Sequence, residues 1–454
     1  MPIRVGLLNH MGGGNLGDDA TVEAVIQHIH RRWPHAEIIA LSMNPADTAL
    51  RHGIPSYPIR RQNWSREAAP EQIRELSDSG LRAAVRRHQR LYRWLRPLGA
   101  VVNASVRAIL GRPDSVTGEL RLLIRSVGLT RKLDILVICG GGQLLDSWGG
   151  PWRFPFTLFK WTFLARLLRV PCFFLNVGAG PLRQPLSRWF IRRALFLADY
   201  ASFRDSESRA LIEQIGFTGR TEVHPDNAYS LEFPRESSAS SLPENEIVAG
   251  IAPMAYCDPR RYWEKDAGIY RGFLKSFSDF GTWLTNRQSR VALFSTDIDF
   301  DAQTLADLRS LMAAGGADAA RIALDPTPTR EALFARMASM DFLVTCRFHG
   351  VVFAHLMNIP VIALSHHPKV RRLMQDIGLS EYCVDIRNFD GEVLATTYTS
   401  LVSNREEIKS RMAVKLAEYR HDLAAQFDNV FSSGRVFRSA RVFPGKLRTE
   451  RESQ

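Results

Sequence analysis

The sequence predicts an α/β protein of two Rossmann-like domains facing each other across a cleft, the first interrupted by a basic helical insertion. Three observations predict it. Short apolar segments rich in β-branched residues alternate with helical patterns through most of the 454 residues. Several of these segments end in glycine-rich turns, at Gly12-Gly13-Gly14, Gly140-Gly141-Gly142 and Gly178-Ala179-Gly180. The rhythm also stops at the polar stretch Phe233-Pro234 to Leu242-Pro243 and then restarts, as a linker would make it do. A chain this long exceeds one ordinary core.

In order along the chain, Ile3–Asn9 reads as a strand. A helical pattern follows from Asp19 to Arg32, with Val22, Val25, Ile26 and Ile29 on one stripe. Glu37–Ser42, Asp134–Cys139, Pro171–Val177 and Tyr200–Phe203 read as further strands. After the break come Ile247–Ala252, Val291–Ser295, Asp341–Cys346 and Pro360–Leu364. This gives a first domain over residues 1–235, a linker at 236–246, a second domain over 247–435 and a basic tail at 436–454. Strand–helix alternation implies parallel sheets, with ligands at the C-terminal strand ends.

Residues 51–132 break the rhythm. They hold 17 Lys/Arg against 6 Asp/Glu, a net +11 out of the whole chain's +12. Charge concentrated in one segment argues against a nucleic-acid binder and for a neutral body with one basic surface. Within it, Leu81, Ala84, Val85, His88, Leu91, Tyr92 and Leu95 form one helical stripe between Arg82, Arg86, Arg87, Arg90, Arg93 and Arg96. A basic amphipathic helix over 81–96 either packs on its own domain or meets an anionic membrane surface or lipid-linked substrate. Met1 to Leu8 run straight into a strand pattern, so no signal peptide is expected. Phe154–Val170 is apolar but short and carries Lys160, Arg166 and Arg169, which argues against a membrane span. Five scattered cysteines with no CxxC pair fit a reducing compartment and no zinc site. The expected location is cytoplasmic, with peripheral attachment to the inner face of the membrane through the basic segment.

The residues with chemistry sit at strand ends. In Thr345-Cys346-Arg347-Phe348-His349-Gly350 a buried strand gives way to a helix. Alternation puts Arg347 and His349 on one side and Phe348 in the core. Arginine beside a helix N-terminus suits a carboxylate or phosphate, and a histidine next to a bound anion can deliver a proton near neutral pH. A buried structural arginine with a histidine cap is the alternative. In Asn15-Leu16-Gly17-Asp18-Asp19, the acidic pair at a helix start would repel a pyrophosphate, and the spacing is not a dinucleotide fingerprint. Asp18 and Asp19 suit a sugar hydroxyl, as acceptor or base; capping of the helix is the other reading. Arg204 stands before Asp205, a helix cap that turns Arg204 to the cleft as an anion ligand or pairs with it locally. Gly141, Gly142, Gly178 and Gly180 allow tight turns lining the cleft. Lys369 is either a third cation or a solvated lysine. His366 and His367 read as loop residues with poor spacing for a metal.

Taken in order, these segments resemble the polysaccharide pyruvyl transferase family. The matching residues are Gly14 to Asp19, Cys139 to Gly142, Gly178 to Pro181, Ala198 to Ser208, His224-Pro225-Asp226-Asn227-Ala228, Arg347-Phe348-His349, Asn358-Ile359-Pro360 and Lys369. The likeness covers residues 1–45 and 134–385. It implies a GT-B-like fold, phosphoenolpyruvate as donor, and transfer of pyruvate as a ketal to a saccharide or lipid-linked oligosaccharide. The first domain would hold the acceptor and the second the donor, with no metal or cofactor. Arg204, Arg347 and Lys369 would bind the donor. His349 would protonate its enol carbon, and Asp18 or Asp19 would orient or deprotonate the acceptor. The competing expectations are a GT-B glycosyltransferase using a nucleotide sugar and a non-catalytic membrane-associated assembly component.

Overall fold

The computed structural model describes residues 2–60, 113–147, 149–233, 246–324 and 327–432. The expected basic helix at 81–96, nearly all of the linker and the tail at 436–454 lie outside the described residues.

Two parallel sheets form the protein. The first takes β1 (Arg4–Leu8), β2 (Glu37–Ser42), β3 (Ser56–Pro58), β4 (Ile135–Cys139), β5 (Cys172–Val177), β6 (Tyr200–Phe203) and β7 (Glu222–Val223). Its strands lie in the order β3-β2-β1-β4-β5-β6-β7. The second takes β8 (Val248–Ala252), β9 (Arg290–Leu293), β10 (Ile322–Ala323), β11 (Phe342–Thr345), β12 (Val361–Ser365) and β13 (Cys383–Asp385), in the order β10-β9-β8-β11-β12-β13. Strands β4, β5, β8 and β12 are buried along their whole length, as strands covered by helices on both faces must be. In each sheet the chain runs outward one way and then returns to build the other way. The reversal falls between β1 and β4, and again between β8 and β11. Side chains at these switch points, outside the strand C-termini, face open crevices.

Among the described residues, six helices cover the first sheet: α1 (Leu16–Arg32), α2 (Pro45–His52), α3 (Pro113–Thr130), α4 (Phe154–Leu167), α5 (Pro185–Leu197) and α6 (Ser206–Gln214). Around the second lie α7 (Ala267–Thr285), α8 (Ile298–Ala314), α9 (Arg330–Met337), α10 (Phe348–Leu356), α11 (Pro368–Asp376) and α12 (Gly391–Ser403), followed by α13 (Arg405–Val430). The start of α1 is capped by Asn15, whose Oδ1 accepts from the N–H groups of Gly17 and Asp18. Asp18 and Asp19 stand in the first turn and His30, Arg31 and Arg32 in the last, which complements the helix dipole.

The structure corrects two boundaries. The expected insertion at 51–132 joins the strand–helix rhythm at both ends, where β3 and α3 complete the first domain. The second domain was expected to extend to 435, but α13 leaves it and returns to the first. His28 of α1 stacks on Phe427 at 3.9 Å. The Gln426 amide donates to Asn176 Oδ1, Ser202 Oγ and Tyr200 Oη at 2.8, 2.9 and 3.0 Å. A glutamine in such a buried setting needs those partners, so the end of α13 is fixed to the first domain. The domains also meet directly, through Leu16 N to Thr296 O at 2.8 Å and Ile298 N to Gly14 O at 3.0 Å. Among the described residues, no helix is long and apolar enough to cross a membrane.

Candidate active site

Both switch points open into the same region between the domains. Arg204 follows β6. Asp205 caps α6 by accepting from Ser208 N at 2.6 Å, and this turn sends the Arg204 side chain inward, where it is 5% exposed. Its Nη1 donates to Asp226 Oδ2 at 3.0 Å, and its guanidinium lies 4.5 Å from the ring centre of Phe348 of the second domain. The glycines around it are there for space. A Cβ on Gly178 would sit 2.7 Å from Arg204 Nε, and one on Gly142 would meet only Arg204 Nη2, at 3.8 Å. Asp226 is fixed in turn, since its Oδ1 accepts from Thr21 Oγ1 at 3.2 Å and Ala228 N at 3.1 Å.

His349, in the first turn of α10, crosses the domain boundary. Its ring lies so close to Gly17 of α1 that a Cβ there would fall 2.0 Å from Nδ1. Its Nε2 is 3.8 Å from Asp226 Oδ2 and is buried without a hydrogen-bond partner among the described residues. Burial pushes the pKa of His349 below the ordinary histidine value. Asp226 and Asp18 oppose that shift, while Arg204 and Lys369 add to it. An anion bound beside those two cations would reverse their contribution.

Lys369, in the first turn of α11, makes no ion pair within 4 Å among the described residues. Its Nζ is 5.9 Å from the Phe348 ring centre. Burial, then the charge of Arg204, lowers its pKa to about 8 against the pull of Asp18. Arg204, Asp226, Phe348, Lys369 and Arg372 all line an interdomain pocket of about 350 Å³, which also reaches Tyr419 and Asp422 on the returning α13.

Asp18 and Asp19 separate. Asp18 accepts from His10 Nε2 at 2.7 Å, beside Gly141, where a Cβ would meet His10 Cε1 at 2.9 Å and Asp18 Oδ1 at 3.0 Å. Burial works to raise the pKa of Asp18, but His10, then His349 and Arg204, bring it down to about 2. It is therefore a carboxylate at any physiological pH. Asp19 instead faces Arg51 at 3.4 Å and His52 at 3.8 Å, away from this group. Asn15 serves as cap and as backbone partner of Asp297 across the boundary. Gly180, at φ 101°, carries the turn after β5 into Pro181 and stands apart, its nearest neighbour being Leu211.

Arg347 is held by carboxylates of its own domain. Its Nε and Nη2 donate to Asp301 Oδ2 and Oδ1 at 2.7 and 2.6 Å, and its Nη1 lies 3.1 Å from Asp297 Oδ2. Two carboxylates already neutralise it inside the second domain, so it ties β11 to α8 and does not face the pocket. Phe348, expected in the core, is corrected. The helix starts at Phe348, so successive side chains turn by about 100° instead of alternating: Arg347, Phe348 and His349 take three directions, and Phe348 lies in the pocket wall. Arg347→Met leaves the buried Asp301 with only the Ser295 hydroxyl and Ala255 N–H as donors. It should lower unfolding stability by about 3 kcal/mol, read by urea titration, with Asp301→Asn in the same chain recovering part of the loss. An unchanged midpoint would refute the structural role.

Sequence reasoning passes over three residues of this group. Asp226 belongs to a segment it quotes and His10 lies between the first strand and the Gly12–Gly14 turn, yet only the fold brings them to Arg204 and Asp18. Asp297 follows β9, where no glycine turn marks the strand end. Burial, with Asp301 and Asp18 nearby, raises its pKa to about 6 despite Arg347. His367 caps α11 through Nδ1, accepting from Lys369 N at 3.3 Å. Among the described residues no three His, Cys, Asp or Glu side chains are grouped as a metal site.

The polysaccharide pyruvyl transferase family model matches residues 15–368. The amylovoran biosynthesis protein AmsJ of Erwinia amylovora is 20% identical over 420 residues, covering 90% of this chain and 94% of AmsJ. Among solved structures, a glycosyltransferase of Rickettsia africae ESF-5 superposes with a TM-score of 0.52 at 8% identity, over 95% of this chain and 99% of that one. A UDP-GlcNAc 2-epimerase of Methanocaldococcus jannaschii gives 0.51 at 10% identity, over 88% and 92%. These likenesses support the GT-B-like pairing of two Rossmann-like domains and speak to the fold alone. The family match spans most of the chain and includes Asp18, Arg204, Asp226 and His349: this protein belongs to the polysaccharide pyruvyl transferase family and is an enzyme of that type.

Proposed function

We propose that the enzyme moves the pyruvyl group of phosphoenolpyruvate onto two hydroxyls of a saccharide, as a cyclic ketal, during exopolysaccharide biosynthesis. The observation that carries this reading is that His349, its Nε2 without a hydrogen-bond partner among the described residues, lies 3.8 Å from Asp226 and feels the charges of Arg204 and Lys369, which line one interdomain pocket with Asp226. Phosphoenolpyruvate is a trianion with a carboxylate and a phosphate. Arg204 and Lys369 hold it, with Arg372 also lining the pocket. The negative donor raises the proton affinity of His349. His349 then protonates the methylene carbon, which becomes the methyl group. The neighbouring carbon accepts the first sugar oxygen, whose proton passes to the His10–Asp18 pair. A carboxylate behind an imidazole stabilises the imidazolium that forms. The second hydroxyl displaces inorganic phosphate. One hydroxyl proton leaves with the phosphate and the other restores His349, so the enzyme ends as it began. Biosynthesis of exopolysaccharide enters through the similarity to AmsJ.

The test is incubation with labelled phosphoenolpyruvate and a pool of lipid-linked saccharides. Phosphate release should match a product heavier by one pyruvylidene group. Sugar transfer from a nucleotide sugar, with phosphoenolpyruvate untouched, would overturn the proposal. The same assay carries a pH prediction. Lys369 binds the donor only when charged, so kcat/KM for phosphoenolpyruvate should fall as pH rises through about 8. Lys369→Arg should lack this further fall, because guanidinium stays protonated.

A further inference from the structure

We propose that the outer face of α4 and α5 is a membrane-docking surface for bilayers with anionic headgroups. Residues 147–198 contain eight Lys/Arg and no Asp/Glu. The two helices that fill this stretch pack their inner faces, through Leu158, Trp161, Ile191 and Ala194, under the first sheet. Their outer faces are apolar as well. On α4, Phe156, Phe159, Phe163 and Leu167 recur every three or four residues. On α5, Leu186, Trp189 and Phe196 stand three and seven residues apart, spacings that also share a helix face. The rings are continuous across the two helices. Trp152 meets Phe156 and Phe190 at 5.5 and 5.4 Å, Phe159 meets Phe163 and Trp189 at 5.9 and 5.5 Å, and Trp189 meets Phe190 at 5.3 Å. Much of this surface is open: Trp152 is 62% exposed, Phe163 46%, Leu167 64% and Trp189 40%.

A contiguous apolar patch of this kind marks a docking site. Its charge selects the occupant. Arg166, 65% exposed on α4, lies 4.0 Å from Asp199 just past the end of the stretch, and the guanidinium of Arg193 lies 5.8 Å from the Trp189 ring centre. Tryptophans and cations framing aliphatic side chains are what a headgroup–acyl boundary accommodates. A second copy of the same face would set cations against cations. The start of α4, behind this surface, also reaches the candidate active site. Phe154, the first residue of α4, meets His10 edge-on at 5.9 Å, and His10 holds Asp18. A bilayer on this face would lie beside the cleft wall assigned to the acceptor, which suits a lipid-linked saccharide.

The experiment is cosedimentation of the full chain with vesicles, without donor or acceptor, so its outcome does not depend on the proposed reaction. Binding should appear on equimolar phosphatidylcholine and phosphatidylglycerol, be weak on phosphatidylcholine alone, and fall as salt shortens the Debye length. The variant Trp152→Ser, Phe163→Ser, Trp189→Ser should lose about tenfold or more in partitioning and unfold at the wild-type temperature. Partitioning equal to wild type would overturn the proposal. If the variant binds normally but unfolds early, residues 61–112 cover the face. If the wild type is a dimer that the variant splits, the face binds a second copy. If neutralising Arg86, Arg87, Arg90 and Arg93 abolishes binding while the triple variant binds normally, the basic segment alone is the membrane contact. Each of these outcomes refutes docking through α4 and α5.

Discussion

His349→Ala should lower kcat by about 10³-fold, within the range general acid catalysis supplies, while leaving the fold in place. The second half of that expectation follows from the hydrogen bonds. His349 Nε2 has no partner among the described residues, so its removal strands no donor. Asp226, its nearest carboxylate, keeps Arg204, Thr21 and Ala228 N–H. The change should therefore leave the unfolding midpoint within a few degrees of wild type. The pH profile separates a proton donor from a merely supporting ring. Burial, the largest influence, holds His349 in the free enzyme below the ordinary histidine pKa, and Arg204 and Lys369 lower it further. The wild-type kcat/KM should therefore already decline with rising pH on the acid side of neutrality. Bound donor reverses the effect of the cations, so kcat should hold to higher pH than kcat/KM. The variant's residual rate should show no such limb. A variant that keeps wild-type turnover removes His349 from the chemistry.

How much of this was legible in the sequence depends on the range of the interactions. The central strands announce themselves because burial on both faces makes them continuous apolar runs, as in Ile135–Cys139. Edge strands β3, β7, β10 and β13 have two or three residues each, too few to show a period. Gly141 and Gly178 point to the cleft because the close approach of His10, Asp18 and Arg204 requires bare backbone there, while Gly140 makes room for Thr21. Arg347 carries a signal that fits two roles. An arginine at a strand end serves a ligand or an internal carboxylate equally well, and Asp301, the carboxylate it pairs with, stands 46 residues away. The return of α13 is equally hidden. Gln426 reads as an ordinary helical residue until Asn176, Ser202 and Tyr200, more than 220 positions earlier, gather around it.

Gly17→Ala should cost about 10²-fold in kcat, as a displacement of roughly 1 Å at a reacting group does, without weakening α1. Gly17 is in the first turn of that helix and not among the positive-φ residues, so alanine fits its backbone and is the better helix former. All of the effect is therefore steric. The added Cβ would lie 2.0 Å from Nδ1 and 2.1 Å from Cγ of His349, closer than such atoms can stand. Either the imidazole turns away from Asp226, or the domains part and strain the backbone pairs Leu16–Thr296 and Ile298–Gly14. Both move the ring relative to Arg204, which is anchored in the first domain. The two mutations then act on one thing. Gly17→Ala in a chain carrying His349→Gly, which removes the Cβ 2.5 Å from the added methyl as well as the ring, should have no further effect on kcat, a coupling a double-mutant cycle measures directly. Full activity in Gly17→Ala would mean that the contact between Gly17 and His349 does not set the position of the ring during turnover. Additive losses in the double variant would mean that Gly17 serves the site by some route other than His349.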